Sequence, residues 1–183
     1  MKTTKYSIHL SSFIVLFIFA LLVSCKKENG NPAASYGEFN LRLTDAPAVY
    51  QKVNVEIIGA EINHGDSGWI SIPVKAGIYN LLELQNGVSV ALADSIMLPV
   101  GKVNQMRLIL GNNNSVVTAA GTFELKVPSG EESGLKVNLD ADVQANKTLD
   151  VLLDFDAGAS VVEQGNASFS LKPVIKLQSV VQL

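Results

Sequence analysis

The chain has 183 residues, of which 48% are hydrophobic, and this length suits one domain with a substantial core but hardly two. Its net charge is −3 and becomes −5 if Lys2 and Lys5 leave with an N-terminal leader. Nucleic-acid binding requires clustered Lys and Arg, and the sequence contains no such cluster, so we exclude nucleic acid as a partner.

The first 25 residues have the parts of a bacterial export signal. Lys2 and Lys5 provide the positive start, and residues 8–23 provide an apolar stretch with a few polar interruptions. A transmembrane helix needs roughly 20 apolar residues to cross a bilayer core about 30 Å thick, and this stretch is shorter. The sequence therefore predicts a cleaved signal peptide over residues 1–24.

The leader ends in Leu22-Val23-Ser24-Cys25, which resembles the lipobox of bacterial lipoproteins. The resemblance implies that a diacylglyceryl group is added to Cys25 before cleavage makes this cysteine the first residue. Cys25 is the only cysteine, so no disulfide can form within one chain. Acyl chains such as palmitate contribute about 0.8 kcal/mol per buried methylene, so several would hold the protein at a membrane. A plain secretory signal with a chance cysteine is the alternative.

Residues 25–36 are predicted to be the lipidated cysteine and a flexible tether, because they are small, polar and without a hydrophobic period. In lipoproteins similar to those of the Bacteroidetes, acidic residues after the cysteine can direct export to the cell surface. Here Lys26 and Lys27 precede a single Glu28. We expect a lipid anchor in the outer membrane, on its periplasmic face or at the cell surface.

From Glu38 onward, apolar and polar residues alternate, which is typical of a β-strand with one face in a core. Five segments show this alternation, and turn-forming residues separate them. Their apolar positions are Phe39, Leu41 and Leu43; Val53, Val55 and Ile57; Met106, Leu108 and Leu110; Leu149, Val151, Leu153 and Phe155; and Leu171, Ile175 and Leu177. Pro173 falls within the last predicted strand and places it at a sheet edge, since proline has no N–H to donate. Residues 81–93 are where a short helix or turn is expected instead.

Short strands without intervening helices predict an all-β fold, a single β-sandwich over residues 37–183. An open Greek-key barrel is the alternative.

Motifs spread along the mature chain also resemble one known family. They are Leu43-Thr44-Asp45-Ala46-Pro47, Leu84-Gln85-Asn86-Gly87-Val88, Leu98-Pro99 with Gly101 before Gln105-Met106-Arg107-Leu108, Val127-Pro128-Ser129-Gly130, Ser133-Gly134-Leu135-Lys136, Leu153-Asp154-Phe155-Asp156-Ala157 and Leu171-Lys172-Pro173-Val174-Ile175. Together, over about residues 37–177, they resemble domain-of-unknown-function family 4382 of bacterial lipoproteins. The resemblance implies a prealbumin-like or immunoglobulin-like Greek-key sandwich on an exported lipoprotein, and it implies no activity.

Catalysis by a nucleophilic serine needs a nearby base, and the mature chain has one histidine, His64. We expect His64 to be an exposed turn residue, because Gly65-Asp66-Ser67-Gly68 follows it, and we expect Ser129 and Ser133 to form turns. Zinc needs several Cys and His ligands, and no glycine-rich phosphate loop leads into a helix. We therefore expect no cofactor, no bound nucleotide and no enzymatic activity.

One acidic motif resembles part of a calcium-binding loop. Asp154 and Asp156, followed by Gly158, match part of the Asp-x-Asp-x-Gly spacing that binds calcium, and Glu163 could complete it only if the strand ends at Ala157. Alternatively, these carboxylates form ion pairs across a strand pair with Lys172 and Lys176. Three further aspartates are expected to be solvated loop charges: Asp45, Asp140 and Asp142.

A glycan-binding hypothesis rests on Trp69, Tyr36, Tyr50 and Tyr79, because sugar rings stack on exposed aromatic faces. Packing in the core or at a sheet edge is the favoured role for Trp69.

One functional class is favoured and two alternatives remain open. The favoured class is a non-enzymatic binding or structural module with a protein or glycan partner, which predicts exposed apolar patches and free sheet edges. The alternatives are a calcium-dependent glycan-binding adhesin and a hydrolase that acts through Asp154 and Asp156. The hydrolase predicts a pocket with two carboxyl groups about 5 to 10 Å apart in unlike environments.

Overall fold

A computed structural model describes residues 35–128, 134–166 and 168–183. These residues form thirteen β-strands, one short α-helix and two 3-10 helices. None of their helices is long and apolar enough to span a membrane. The predicted all-β sandwich is therefore confirmed, because two sheets account for the fold.

The elements follow in chain order. The strands are β1 (Tyr36–Thr44), β2 (Lys52–His64), β3 (Trp69–Ile72), β4 (Gly77–Asn80), β5 (Val90–Pro99), β6 (Gly101–Leu110), β7 (Ser115–Thr118), β8 (Gly121–Lys126), β9 (Leu135–Val143), β10 (Thr148–Phe155), β11 (Val161–Gly165), β12 (Ser168–Leu171) and β13 (Ile175–Gln182). The 3-10 helices are Gly65–Ser67 and Leu81–Leu84, and the α-helix, α1, is Ala157–Ser160. The helix or turn expected within residues 81–93 is confirmed by the second 3-10 helix.

The smaller sheet has four strands in the order β13-β10-β1-β5. Its inner strand β1 runs parallel to β10 and antiparallel to β5. Every second residue of β1 and β10 is buried, because alternate side chains of a strand point to opposite faces. The predicted alternation of these strands is confirmed at Phe39, Leu41, Leu43, Leu149, Val151, Leu153 and Phe155.

The larger sheet has nine strands and is organised around β2. Its main path is β11-β12-β8-β7-β2-β6-β9, and β3 and β4 pair with the other edge of β2. Strand β2 has 13 residues, so at about 3.3 Å per residue it is long enough to pair first with β7 and then with β6. The buried residues of both sheets form one apolar cluster, in which Phe39 and Phe155 are the largest side chains.

The last predicted strand is wrong in one respect, because Leu171 and Ile175 belong to different sheets. Strand β12 ends at Leu171 in the larger sheet, and β13 begins at Ile175 in the smaller one. Between them, Lys172 and Val174 donate their N–H groups to Ser160, at 2.8 Å each, while Pro173 has no N–H to satisfy. Proline therefore marks the crossing between sheets. The predicted edge position is confirmed for β13, which is the end strand of the smaller sheet.

Candidate functional site

Three carboxylates lie close together at one end of the smaller sheet, where its two inner strands β1 and β10 finish. Strands β1 and β10 are parallel and pair as far as Thr44 and Asp154, so both strands end at the same edge. Asp45 follows β1, and Asp156 follows Asp154 by two residues. The charges of Asp154 and Asp156 both raise the pKa of Asp45, which places the three groups in one electrostatic cluster. We call these three residues the acidic edge.

Asp45 is buried, with 5% of its surface exposed, so the expectation of a solvated loop charge is wrong. Its Oδ1 accepts the N–H of Ala157 at 2.8 Å, and its Oδ2 accepts a hydrogen bond from the Gln85 side chain at 3.0 Å. Burial raises the pKa of Asp45 above its ordinary value, although both hydrogen bonds oppose this rise. Asp45 thus joins three chain segments, because its two oxygens accept hydrogen bonds from donors that burial would otherwise leave without a partner.

Asp156 caps the short helix α1 and forms an ion pair. Its Oδ1 accepts the N–H of Ala159 at 2.9 Å, and its Oδ2 accepts a hydrogen bond from Lys176 Nζ at 2.9 Å. The hydrogen bond from Lys176 is the main reason that the pKa of Asp156 is lowered. The expected cross-strand ion pair is confirmed for Asp156 and not for Asp154, and the strands β10 and β13 that it joins pair antiparallel. It involves Lys176 and not Lys172, because Lys172 lies in the crossing between sheets.

Asp154 differs from its two neighbours because one of its oxygens is unused. Its Oδ1 is buried and has no hydrogen-bond partner in the described part of the chain. Burial, followed by the nearby charge of Asp156, raises the pKa of Asp154. With Asp45, it lines a cavity of about 310 Å³.

The acidic edge has limited chemical capacity. Asp154 and Asp156 have pKa values shifted in opposite directions, as the hydrolase hypothesis expects. However, both oxygens of Asp45 and of Asp156 already accept hydrogen bonds from the protein. Glu163, the residue expected to complete a calcium loop, lies in β11 of the other sheet. Within the described ranges, no three His, Cys, Asp or Glu residues are grouped to hold a metal ion.

His64 is not an exposed turn residue, so that expectation is wrong. It is the last residue of β2, has 6% of its surface exposed, and its Nε2 lies 2.9 Å from the carbonyl oxygen of Pro99. Its inward position follows from the alternation of β2, in which Ile62 two residues earlier is also buried. His64 therefore packs against the connection between β5 and β6. Ser129, Ser133 and Cys25 lie outside the described residues.

Trp69 is the centre of a polar cluster on the outer face of the larger sheet. The guanidinium carbon of Arg107 lies 4.5 Å from the ring centroid, and Lys136 Nζ lies 5.9 Å from it. Arg107 Nε donates to Glu61 Oε2 at 2.7 Å, which holds the guanidinium over the indole. Arg107 thus covers a ring face that a sugar would need.

The three tyrosines expected to bind glycans lie in separate places. Tyr36 begins β1, Tyr79 lies in β4 and donates its hydroxyl hydrogen bond to the Lys75 carbonyl, and Tyr50 precedes β2. Of these, Tyr36 and Tyr50 line two different cavities.

An aromatic groove crosses the other half of the larger sheet. The rings of Phe123 in β8 and Phe169 in β12 stand 5.0 Å apart at 46°. Two open cavities of about 550 and 470 Å³ share these two rings. We call the Phe123–Phe169 pair and its flanking side chains the aromatic groove; the polar and aromatic members around the pair are Tyr50, Gln51, Thr118, Glu124, Lys126, Glu163, Gln164, Ser168 and Ser170.

Sequence reasoning missed the aromatic groove. The groove exists because β12 pairs in parallel with β8, with Phe169 opposite Leu125. These strands are more than forty residues apart in sequence, and each is short. No local pattern therefore brings Phe123 and Phe169 together, although each lies in a segment with an apolar residue at every second position.

The fold and these sites define an all-β sandwich domain that combines a structural acidic edge with an open aromatic groove. The family model described as "Domain of unknown function (DUF4382)" matches residues 36–173, so the chain belongs to this family. The match begins at the first residue of β1 and ends at the crossing between the two sheets. Searches of curated proteins and of solved structures gave no match.

Proposed function

We propose that this chain is a lipid-anchored protein of a bacterial cell envelope and that its β-sandwich is a non-enzymatic module that binds an oligosaccharide in the aromatic groove. The anchor is supported by the sequence Leu22-Val23-Ser24-Cys25 after a short apolar segment with a basic start. The outer membrane is the proposed location.

The observation that carries the binding proposal is the composition of the aromatic groove. The Phe123–Phe169 pair lines both cavities, and hydroxyl, amide, carboxylate and ammonium side chains line them with it. A sugar ring has an apolar face of C–H groups and a rim of hydroxyls, so this arrangement matches both parts of its surface. The two cavities share one aromatic pair, and two adjoining cavities suit a chain of sugar rings better than a single ring.

We propose that the domain is not catalytic because most of its candidate carboxylate oxygens already accept hydrogen bonds from the protein. The best candidates for acid and base are Asp154 and Asp156, and Asp156 is occupied by the N–H of Ala159 and by Lys176. The cavity at Asp154 contains Asp45 as its second carboxylate, and Asp45 is occupied by Ala157 and Gln85. A reacting carboxylate needs a free oxygen facing the substrate, and among the three residues of the acidic edge only Asp154 has an oxygen without a hydrogen-bond partner in the described part of the chain, an oxygen that is buried.

The binding proposal is tested with the full lipidated chain in detergent and a panel of oligosaccharides built from glucose, xylose, N-acetylglucosamine and mannose. Titration calorimetry should detect one class of sugar. The double variant Gln51→Ala and Gln164→Ala should lower its affinity at least tenfold, because both side chains border the groove and are exposed.

The matched control is Gln144→Ala, which removes an exposed glutamine outside the groove and should leave affinity unchanged. Binding of peptides but of no sugar, or equal loss of sugar affinity in the control, would overturn the proposed ligand class.

The anchor is tested separately by cell fractionation. The wild-type chain should sediment with membranes and return to the soluble fraction only with detergent. Cys25→Ser should remain at the size of the uncleaved precursor, since lipid addition precedes cleavage at a lipobox. Normal processing of Cys25→Ser to a soluble mature protein would contradict the proposed anchor.

A further inference from the structure

We propose that the end of the domain bearing Tyr36, Met97 and Val100 rests on the lipid headgroups of the membrane that holds Cys25. This inference depends on the proposed lipid anchor, and it assigns a membrane-contact surface and an orientation to the domain. We call these three residues the membrane-proximal patch.

The patch is formed by strand pairing between β1 and β5. Tyr36 is opposite Pro99, and Glu38 is opposite Met97. Val100 donates its N–H to the Ser35 carbonyl at 2.8 Å, which fixes it beside the start of β1. The three side chains of the patch are 44%, 56% and 44% exposed, in the order Tyr36, Met97 and Val100.

The composition of the patch suits a lipid surface. A single exposed apolar residue needs no explanation, but a group of them marks a contact site, and here Tyr36 and Met97 line one cavity while the backbone of Val100 is bonded beside the start of β1. Tyrosine is enriched where membranes meet water, because its ring is apolar and its hydroxyl is polar. The patch therefore matches the headgroup region in chemistry.

The position of the patch in the chain favours the membrane as its occupant. Tyr36 is eleven residues after Cys25, so the intervening chain spans at most about 40 Å even when fully extended. The opposite end of β1, at Thr44, is about 26 Å farther away along the strand. The tether thus enters the domain at the patch, and the acidic edge lies at the far end.

The charges near the patch indicate which force holds it. Lys102 and Lys147 are exposed near this end, and Lys102 lies 3.6 Å from the carboxylate of Asp140. Glu38 and Asp142 add two further negative charges there. Because positive charge is not in excess, the contact relies on apolar and aromatic side chains and not on anionic lipid.

The test places a spin label at Met97→Cys in the full lipidated chain, reconstituted in phosphatidylcholine vesicles. Acylation blocks the sulfur of Cys25, so the introduced thiol is the only one that reacts with the label. Two matched controls are Val88→Cys and Ile78→Cys, which replace apolar residues with 52% and 58% exposure. Val88 lies at the far end, where its carbonyl accepts a hydrogen bond from Thr44 Oγ1, and Ile78 lies in the edge strand β4.

Power-saturation measurements compare collisions with oxygen, which concentrates in lipid, and with a water-soluble nickel chelate. The label at position 97 should collide more with oxygen, and the labels at positions 88 and 78 should collide more with the chelate. Raising the salt concentration should not change this ranking, since the contact is apolar. A water-like label at position 97, or a lipid-like label at either control position, overturns the proposed orientation.

Flotation of the same vesicles separates this result from failure of the anchor. If the chain does not float with the vesicles, the proposed lipid anchor is wrong, and the proposed orientation falls with it. If the chain floats and the label at position 97 is water-exposed, the anchor stands and only the orientation is wrong.

Discussion

The carboxylate of Asp45 accepts a hydrogen bond from the backbone N–H of Ala157, a residue 112 positions away in sequence, at 2.8 Å. This bond ties the loop after β1 to the start of α1, where the chain leaves the smaller sheet. A second bond from Gln85 ties in the segment before β5. Asp45 is therefore the point where three loops at one end of the sandwich are joined.

Replacement of Asp45 by alanine should destabilise the domain by about 1–3 kcal/mol, because the buried N–H of Ala157 loses its acceptor. Urea unfolding measures this loss. The control is Asp142→Ala, which removes an exposed aspartate of β9 and should change the free energy of unfolding by less than about 0.5 kcal/mol. Equal effects of the two substitutions would show that Asp45 has no special structural role.

Asp154 and Asp156 should affect the pH dependence of stability in opposite directions. Burial raises the pKa of Asp154 above its ordinary value of 3.8, so the folded state binds this proton more tightly than the unfolded state. The resulting stability is present in acid and is lost as pH rises through the raised pKa. Asp154→Asn has no carboxyl group to titrate and so does not lose this stability. The free energy of unfolding of the variant, relative to that of the wild type, should therefore increase from acid to neutral pH.

The pKa of Asp156 is lowered below 3.8, chiefly by the hydrogen bond from Lys176. Its contribution to stability is therefore present above the ordinary pKa and is lost as pH falls through the lowered value. Asp156→Asn should be less stable than wild type at neutral pH, and the difference should shrink in acid. Urea midpoints measured over this pH range test both variants, and parallel curves for the two would contradict the assigned environments.

The stacking of Arg107 on Trp69 should be measurable through fluorescence, since Trp69 is the only tryptophan. Arg107→Ala should shift the emission of Trp69 to longer wavelength, because water reaches the uncovered ring. A double-mutant cycle between the two positions should give a coupling of about 0.5–2 kcal/mol. Lys136→Ala is the control, because its ammonium is farther from the ring, at 5.9 Å, and should give a smaller coupling.

Calcium should not raise the unfolding temperature of the domain. Both oxygens of Asp156 are occupied by protein donors, and the described ranges contain no group of three acidic or histidine side chains suited to a metal. A bound ion at a hundredfold excess over its dissociation constant would add about 2.7 kcal/mol, which calorimetry detects easily. A rise in midpoint that EDTA reverses and Asp156→Ala abolishes would restore the calcium hypothesis.

The sequence was sufficient to predict β1 and β10, because burial of one strand face imposes a period of two on the apolar residues. The same period predicts that His64 is buried, because it lies two residues after the buried Ile62 in β2. The glycine-rich turn that follows His64 indicates exposure instead, and this local signal is misleading. Asp45 could not be placed, because its partners Ala157 and Gln85 are remote in sequence.

Pairings between distant strands limited the prediction of sites in the same way. The aromatic groove depends on the parallel pairing of β8 with β12, which no local pattern specifies. Pro173 correctly indicates an edge strand, since β13 is the end strand of the smaller sheet, but its place at the crossing from one sheet to the other requires knowledge of both sheets.

The central claim, a lipid anchor on Cys25, is tested most directly by the mass of the mature N-terminal peptide purified from bacterial membranes. The account predicts a peptide that begins at Cys25 and carries the added mass of a diacylglyceryl group on its sulfur, with or without a further acyl chain on its amine. A mature N-terminus at any other residue, or an unmodified Cys25, would contradict the account.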